Sequence, residues 1–357
     1  MRLPVMVTGV GGGGHGEQIL KALRLADNDY FIVGGDMNAF SLGLTQVDVP
    51  YLLPPAGATD YVDAVLEVCR RHEVRALFHG SEPELKVMSE QRQRFERAGI
   101  FLPINPAHVI DLCMDKYATS TWLQRRGFRV PRTSCIRAEE DLQAVDFCPA
   151  VLKPMVGGGG SANLFLAQDR AELRAVGGYL LANIGPFVVQ EYVGTVDSEY
   201  TVGVLRDMDG RFVNSIAVRR MIMSGLSNRV RVANRTGDSR FGRYLAISSG
   251  VSQGDVGRFP EITQTCEQIA AELDTRGAIN IQCRYWEGEV YVFEINPRFS
   301  GTTSLRAMMG YNEPDLLIRR HLLGQEVSPR FAYRTGRVVR GLCEVILPDT
   351  KIPDVFS

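Results

Sequence analysis

Apolar positions along residues 1–105 follow two alternating spacings. Short apolar runs predict strands over Pro4–Val10, Phe31–Gly34 and Ala76–His79. Apolar residues three and four apart predict helices over Glu17–Ala26 and Tyr61–Arg71. Strands that alternate with helices are typical of a parallel sheet with helices on its faces. We therefore predict an α/β domain over residues 1–105.

A different pattern follows the turn signal Asn105-Pro106. A helix candidate contains Asp115-Lys116-Tyr117, and two apolar runs, Ala150–Pro154 and Asn163–Ala167, flank a run of four glycines. Two strands joined by a glycine turn form a hairpin, whereas a Walker-type phosphate loop joins a strand to a helix. The pattern predicts an α+β unit over residues 106–185 that carries a hairpin lid.

Strand patterns predominate over residues 186–357, which we assign to a third unit. They predict the strands Phe187–Val193, Glu199–Leu205, Phe212–Arg219, Ala278–Arg284 and Glu289–Asn296. Helical spacing predicts helices over Pro260–Leu273 and Pro314–Leu323. The last apolar run, Val338–Ile346, is interpreted as a strand that offers a surface for homodimer formation.

The composition restricts the class of protein. The chain has 357 residues, of which 45% are hydrophobic and 23% charged, so a large core in two or three domains is expected. The formal net charge of −1, without long runs of one sign, predicts no nucleic-acid partner. The chain contains no apolar run of about 18 residues, so we predict no membrane-spanning helix. The first residues are interpreted as a strand and turn, not a signal peptide, and seven scattered cysteines favour the reducing cytoplasm.

The strongest candidate chemistry lies at Glu294, Asn296 and Arg298. Residues two apart on a strand point to one face, so a carboxylate, an amide and a guanidinium line one wall. Carboxylate and amide oxygens suit Mg²⁺, and Gln282 on the preceding strand offers a further oxygen. Arg298 is placed to stabilise charge on a transferred phosphoryl group. For this pattern alone, a solvated strand end stays an open alternative.

Two further clusters suit a nucleotide. Lys153 precedes the glycine run, whose backbone N–H groups can approach phosphate oxygens closely, and Lys116 offers a second cation. The segment Gln190–Val193 ends a strand whose backbone can read an adenine edge, and Glu199 is placed for the ribose hydroxyls. Each cluster alone is compatible with a surface turn or an exposed strand residue.

The order of these clusters resembles that of the ATP-grasp superfamily, and most closely one ATP-grasp unit of the carbamoyl-phosphate synthase large subunit. Two segments carry the closer resemblance: Thr236–Ser239 is similar to a His-Thr-Gly-Asp-Ser stretch of that family, and Phe293–Gly301 is similar to its metal strand. The resemblance implies an α/β and α+β protein. A Rossmann-like, parallel-sheet pre-ATP-grasp domain (1–105) would precede a two-subdomain ATP-grasp fold, with a small subdomain (106–185) and a large one (186–357).

The resemblance also implies cofactors and residue roles. ATP and Mg²⁺ (or Mn²⁺) are the expected cofactors. Phosphate contacts are implied for Lys116, Lys153, Gly157, Gly158, Gly159, Gly160 and Ser161. Adenine and ribose contacts are implied for Gln190, Glu191, Tyr192, Val193 and Glu199. The implied metal ligands are Gln282, Glu294 and Asn296, and the implied catalytic residues are Arg298, Lys153 and Arg235.

The implied reaction is a ligation in which ATP phosphorylates a carboxylate and an amine or thiol then displaces phosphate. Arg235 replaces the synthase histidine, and there is one ATP-grasp unit. A carboxylate–amine ligase acting on small molecules is therefore favoured, and synthase-like phosphorylation of bicarbonate or carbamate stays the alternative. Arginine suits carboxylate binding, and the candidates to orient the acid are Arg219, Arg220, Arg229, Arg231 and Arg235.

Other functions are less favoured. A GxGxxG pattern in Gly9–Gly14, followed by Asp36, is typical of dinucleotide-binding folds and makes an NAD-dependent oxidoreductase the rival. No hydride-transfer site accompanies it. His15 in that loop is interpreted as a solvated turn residue or a substrate contact. A non-catalytic nucleotide-binding protein is expected to lack the metal ligands, which are present here. Dispersed histidines predict no zinc site, and Ser81 is interpreted as a helix N-cap.

Overall fold

The computed structural model describes residues 2–156, 163–346 and 352–355. The first domain contains a parallel sheet with the strand order β3-β2-β1-β4. Its elements are β1 (Leu3–Thr8), α1 (His15–Arg24), β2 (Tyr30–Asp36), β3 (Val49–Leu52), α2 (Tyr61–Arg71), β4 (Ala76–Phe78), α3 (Glu82–Glu90) and α4 (Arg92–Arg97). The predicted alternation of strands and helices is confirmed, and α2 has the predicted bounds.

Strands β1 and β2 are buried along most of their length. Strands covered on both faces read as continuous apolar runs, which explains the pattern in the sequence. Ser81 is the N-cap of α3, as predicted, because its hydroxyl accepts a hydrogen bond from the Glu84 N–H at 3.3 Å. Neighbouring parallel strands end at one edge, so the glycine turn after β1 and the start of α3 after β4 lie together there.

The second unit is built on an antiparallel sheet with the strand order β5-β8-β6-β7. Its elements are α5 (Ala107–Met114), α6 (Lys116–Arg125), β5 (Thr133–Ile136), α7 (Glu139–Gln143), β6 (Ala150–Pro154), β7 (Phe165–Ala167), α8 (Arg170–Asn183) and β8 (Phe187–Glu191). Strands β6 and β7 pair antiparallel, with Ala150 opposite Ala167, which confirms the predicted hairpin. The predicted lid residues Gly157–Ser161 lie outside the described residues.

The helix candidate around Asp115 is two helices in the structure. Asp115 separates α5 from α6, because its carboxylate accepts hydrogen bonds from the N–H groups of Tyr117 and Ala118 and so caps α6. Val109 of α5 and Leu123 of α6 belong to the core beneath the largest sheet. Helix α6 also contacts the small sheet, where the Ser120 hydroxyl donates to the Thr133 hydroxyl of β5 at 3.1 Å.

The third unit contains a six-stranded antiparallel sheet with the order β15-β14-β9-β10-β13-β16 and a separate β11-β12 pair. Its elements are β9 (Glu199–Arg206), β10 (Phe212–Arg220), β11 (Asn228–Ala233), β12 (Tyr244–Ser248), β13 (Gly254–Gly257), α9 (Pro260–Glu272), β14 (Gly277–Trp286), β15 (Glu289–Asn296), α10 (Thr303–Met308), α11 (Glu313–His321) and β16 (Gly336–Val338). Strand β15 has the predicted bounds. No helix in the described ranges is both long and apolar enough to cross a membrane.

The predicted strand Val338–Ile346 is wrong beyond its first residue. Strand β16 ends at Val338, which pairs with Gly254, the first residue of β13. The ladder stops there because β13 offers no further residue to pair with. Residues 339–346 have no regular secondary structure, and Leu342 and Ile346 are exposed.

One hydrophobic core joins the first and third units. It contains Val7 and Phe78 of the parallel sheet together with Phe299, Tyr311 and Leu317. The rings of Phe78 and Phe299 form a T-shaped contact with centroids 5.6 Å apart. The small sheet has a separate core formed within residues 136–189. Strand β8, which the sequence analysis placed in the third unit, pairs with β5 and β6 and so belongs to the small sheet. The unit boundaries at residues 105 and 185 stay predictions.

Candidate active site

A cleft of about 400 Å³ brings the candidate residues together. Its lining includes the glycine turn, the end of β8, and parts of β9, β14 and β15. The predicted site residues that line it are Lys116, Lys153, Gln190, Glu191, Tyr192, Val193, Glu199, Gln282, Glu294 and Arg298. Clusters that are distant in the sequence therefore share one cleft.

The wall predicted from the Glu294–Arg298 pattern exists. Gln282 and Glu294 are partners across β14 and β15. The Asn296 amide donates to Glu294 Oε1 at 3.2 Å, and Arg298 Nη2 donates to Asn296 Oδ1 at 2.9 Å. Asn296 itself is buried and does not belong to the lining. The carboxylate, amide and guanidinium form a continuous hydrogen-bonded row.

These oxygens fit a hard cation that shares its coordination with phosphate. In the described parts of the chain, no three His, Cys, Asp or Glu side chains form a metal site by themselves. The wall supplies one carboxylate, from Glu294, and the amide oxygens of Gln282 and Asn296. These three ligands carry one negative charge and leave other coordination positions of the ion for phosphate oxygens and water. Mg²⁺ in proteins is usually bound in this way. The Asn296 oxygen already accepts from Arg298, so only its second lone pair is available.

Lys153 is the most deeply buried cation of the predicted phosphate contacts, with an exposed fraction of 3%. Its ammonium group donates to Gln190 Oε1 at 2.8 Å and to the Phe293 carbonyl at 2.9 Å. Burial lowers the pKa of Lys153 to about 8; the proximity of Lys116 adds to this shift, and that of Glu294 opposes it. An added phosphate would favour the charged form.

The end of β8 is held by a residue that sequence reasoning missed. Arg284 Nη1 donates to the Val193 carbonyl at 2.9 Å, and its guanidinium lies 4.2 Å from the Tyr192 ring centroid. The Tyr192 hydroxyl accepts from the Ala246 N–H at 3.1 Å. Glu191 pairs with Arg132 at 3.0 Å. The only signal for Arg284 in the sequence was its position two residues after Gln282, on the same strand face.

Glu199 lies between two arginines. Its Oε1 accepts from Arg220 at 3.0 Å and its Oε2 accepts from Arg284 at 3.1 Å. Burial raises the pKa of Glu199, but attraction to both guanidinium groups lowers it more, so the net pKa lies below its usual range. The carboxylate is ionised and ordered by protein groups. The contact of Glu199 with ribose stays a prediction. The carboxylate also has a structural role, because it pairs with Arg220 and Arg284.

The five candidate arginines have different surroundings. Arg220 and Arg229 line the cleft, whereas the other three do not. Arg219 pairs with Asp255 at 2.7 Å. The Arg235 side chain is 66% exposed, pairs with Glu172 and lies outside the lining, and its catalytic role stays a prediction.

The glycine turn does not offer a pyrophosphate site. The Gly11 N–H donates to Asp36 Oδ2 at 2.8 Å, and the Gly13 N–H donates to Glu17 Oε2 at 2.9 Å. Asp36 Oδ1 accepts from the Asn38 N–H at 2.9 Å. Carboxylates of the chain thus occupy amides that a dinucleotide would need, and they repel its phosphates.

His15 lines the cleft and is not a solvated turn residue. It is buried, and its Nε2 lies 3.2 Å from Nδ1 of His79. Burial, assisted by the positive charge of Arg298, lowers the pKa of His15 well below its usual value and that of His79 to about 3. Both rings are therefore neutral at pH 7.

Comparison with known proteins places these features in a family. Residues 113–302 match the ATP-grasp domain family, and residues 7–103 match the PylC-like N-terminal domain family. The carbamoyl phosphate synthase large chain of Vibrio cholerae serotype O1 is 24% identical over 305 residues, or 82% of this chain. The chain spans about a quarter of that relative's length, with 26% covered.

Solved structures show the same fold. N5-carboxyaminoimidazole synthetase from Staphylococcus aureus, complexed with ADP, gives a TM-score of 0.62 at 13% identity, covering 93% of this chain and 81% of that one. L-amino acid ligase from Bacillus licheniformis gives 0.60 at 16% identity, covering 90% and 74%. The predicted fold class is confirmed.

Proposed function

The chain belongs to the ATP-grasp family, and we propose that it is an ADP-forming ligase that joins a carboxylate to an amine or a thiol. One observation carries the proposal: Gln282, Glu294 and Arg298 line the same cleft as Lys116 and Lys153. Cations for phosphate, oxygens for a metal and an arginine for the reacting group are the parts that phosphoryl transfer requires.

The residues take the following roles. Lys116 and Lys153 neutralise the phosphates of ATP. Gln282, Glu294 and Asn296 would hold Mg²⁺ (or Mn²⁺), which neutralises charge on the phosphate oxygens when bound. Adenine lies against Gln190–Val193, and Glu199 is close to the ribose. Contact of the lid Gly157–Ser161 with the γ-phosphate stays a prediction, because these residues lie outside the described ones.

The chemistry proceeds without a bond to the protein. A carboxylate oxygen attacks the γ-phosphorus, ADP leaves, and an acyl phosphate forms. The amine attacks the acyl carbon, phosphate leaves, and the nitrogen loses a proton. Arg298 stabilises the negative charge on the transferred phosphoryl group and on the departing phosphate. Catalysis then comes from positioning and charge neutralisation.

Phosphorylation of bicarbonate or carbamate is the second candidate. The similarity to carbamoyl phosphate synthase large chains favours it. Against it, Arg235 stands where the resemblance gives that family a histidine. An NAD-dependent oxidoreductase is not proposed, since the amides of Gly11 and Gly13 are occupied. Titration with NADH should leave its fluorescence unchanged.

One screen tests the proposal. Pairs of small acids and amines are incubated with the protein, ATP and Mg²⁺, ADP and phosphate release is measured, and the product mass is determined. A product whose mass equals acid plus amine minus water supports the ligase. ADP formation with bicarbonate alone favours the second candidate. The cytoplasmic location and a homodimer are further parts of the proposal, and light scattering of the purified protein tests the dimer.

A further inference from the structure

The guanidinium of Arg298 is held from two domains. Its Nη2 donates to Asn296 Oδ1 at 2.9 Å, and also to Glu82 Oε1 at 2.7 Å. Its Nη1 donates to the Phe299 carbonyl at 3.0 Å. Glu82 is the first residue of α3 in the N-terminal domain, 216 positions away from Arg298 in the sequence. Three oxygens from two domains thus fix the plane of the arginine.

The contact between Glu82 and Arg298 is shielded from water. Their side chains are 20% and 12% exposed. Burial raises the pKa of Glu82, but attraction to Arg298 and the hydrogen bond from it lower the pKa more, so the net pKa lies below its usual range. The N-terminal end of α3 also favours a negative charge. Glu82 is therefore ionised at neutral pH, and its charge-assisted bond is a strong one.

Glu82 does not belong to the lining of the cleft, whereas Arg298 does. Its hydrogen bond to a residue of the cleft is the one with Arg298, and its charge also attracts Lys116. Without Glu82, Nη2 keeps only the neutral oxygen of Asn296, and the guanidinium is able to turn toward Glu294. An arginine paired with Glu294 would compete with the metal for that carboxylate. It would also no longer contact the phosphoryl group that is transferred.

We propose that Glu82 is a positioning residue that holds Arg298 in its working orientation and so makes the N-terminal domain part of the catalytic apparatus. This inference deepens the proposed function and rests on it, because it requires Arg298 to act in the acyl-phosphate step. The observed row from Glu82 through Arg298 and Asn296 to Glu294 carries it.

The test compares Glu82→Ala and Glu82→Gln with the matched control Glu84→Gln. Glu84 lies on the same helix and is buried, but its carboxylate accepts from the Gly80 N–H and the Ser81 hydroxyl. The control therefore disturbs α3 without touching Arg298. For each variant, the crystal structure is determined, and kcat and KM for ATP are measured with the acid and amine found by the screen.

We expect Glu82→Ala to lower kcat by about 10²-fold, because a displacement of about 1 Å at a reacting group is sufficient for such a loss. The KM for ATP should change by less than about threefold, since the nucleotide contacts remain. Glu82→Gln keeps an acceptor oxygen and should lose only about tenfold. Glu84→Gln should lower the melting temperature and leave kcat close to that of the wild type.

Two results would overturn the proposal. One is a crystal structure of Glu82→Ala in which Arg298 still binds Asn296 as before. This result can be obtained even if no substrate of the enzyme is known. The other is an equal loss of kcat in Glu84→Gln, which assigns the effect to the helix as a whole. If no acid supports ADP release by the wild type while Arg298 shifts in Glu82→Ala, the ligase proposal fails and the positioning role of Glu82 stands.

Discussion

The ammonium group of Lys153 lies 2.8 Å from the side-chain oxygen of Gln190, at a position that water scarcely reaches. Because the pKa of Lys153 is about 8 before nucleotide binds, part of the population is neutral at pH 8.5. Phosphate favours the charged form, so MgATP binding should take up at most about 0.8 proton at pH 8.5 and almost none at pH 6.5. Calorimetry in two buffers with different ionisation enthalpies measures this uptake.

The variant Lys153→Arg is the control for proton uptake, since an arginine stays charged at both pH values. It should bind MgATP at pH 8.5 without the additional proton. The same uptake in Lys153→Arg would assign the proton to another group. The lowered pKa of Lys153 also affects stability. Between pH 8 and 10.5 the unfolded chain binds more protons at this lysine than the folded chain does, so the free energy of unfolding should rise with pH over that interval.

Removal of the Glu294 carboxylate should abolish turnover. Glu294→Ala leaves only the amide oxygens of Gln282 and Asn296 at the wall, and we expect kcat to fall by at least about 10³-fold. The dissociation constant of ATP should rise by no more than about tenfold, since Lys153 remains. Glu289→Ala, at the exposed start of the same strand, is the control. Normal turnover in Glu294→Ala would refute the metal assignment.

Removal of Glu199 should destabilise the fold. Glu199→Ala leaves the guanidinium groups of Arg220 and Arg284 buried without their shared anion, a change that costs about 3–5 kcal/mol. Urea unfolding curves measure the difference. Glu67→Ala removes a carboxylate that pairs with two arginines at the exposed surface, and it should change the curve little. Equal curves for Glu199→Ala and the wild type would mean that this network contributes nothing to stability.

Arg229 should contribute to binding of the acid substrate. It lines the cleft, whereas Arg231, two residues further along β11, does not. We expect Arg229→Ala to raise the KM of the acid by about tenfold, because a charge-assisted contact is lost, and to leave the KM of ATP unchanged. Arg231→Ala, which removes the same charge from the same strand, should change neither constant. If Arg229→Ala and Arg231→Ala gave the same KM for the acid, a specific role of Arg229 in acid binding would be excluded.

The elements that the sequence predicted best were those with a strong period and clear ends. Strand β15 begins at Glu289, after a tight turn, and ends at Asn296, before a proline. The turn fixed the pairing from Trp286 and Glu289 as far as Cys283 and Val292. A bulge at Phe293, which the sequence did not predict, then shifts the register and brings Gln282 opposite Glu294. The apolar run after Val338 failed because an apolar pattern alone does not provide a partner strand, and β13 is too short to extend the pairing.

The parts of the site that escaped prediction depend on long-range contacts. Glu82 looked like an ordinary first-turn helix residue, and its partner Arg298 lies 216 positions away. In the sequence, Arg284 was marked only by its place two residues after Gln282 on the same strand. In the structure it donates a hydrogen bond to the Val193 carbonyl, just after β8. Arg235 was chosen from its place in a segment similar to a known family, and its pair with Glu172 and its place outside the cleft lining were not predictable from that segment. Sequence spacing finds residues on one element and does not find partners that the fold brings together.

The core shared by the parallel sheet and the six-stranded sheet has a consequence for heat unfolding. Because Phe78 packs on Phe299, neither sheet can open without exposing the other's apolar face. The small sheet, with its own core, can open alone. A calorimetric scan should therefore resolve two cooperative transitions, and the one at lower enthalpy should belong to residues 136–189. Two cooperative units are thus expected on heating, although the sequence pattern divides the chain into three.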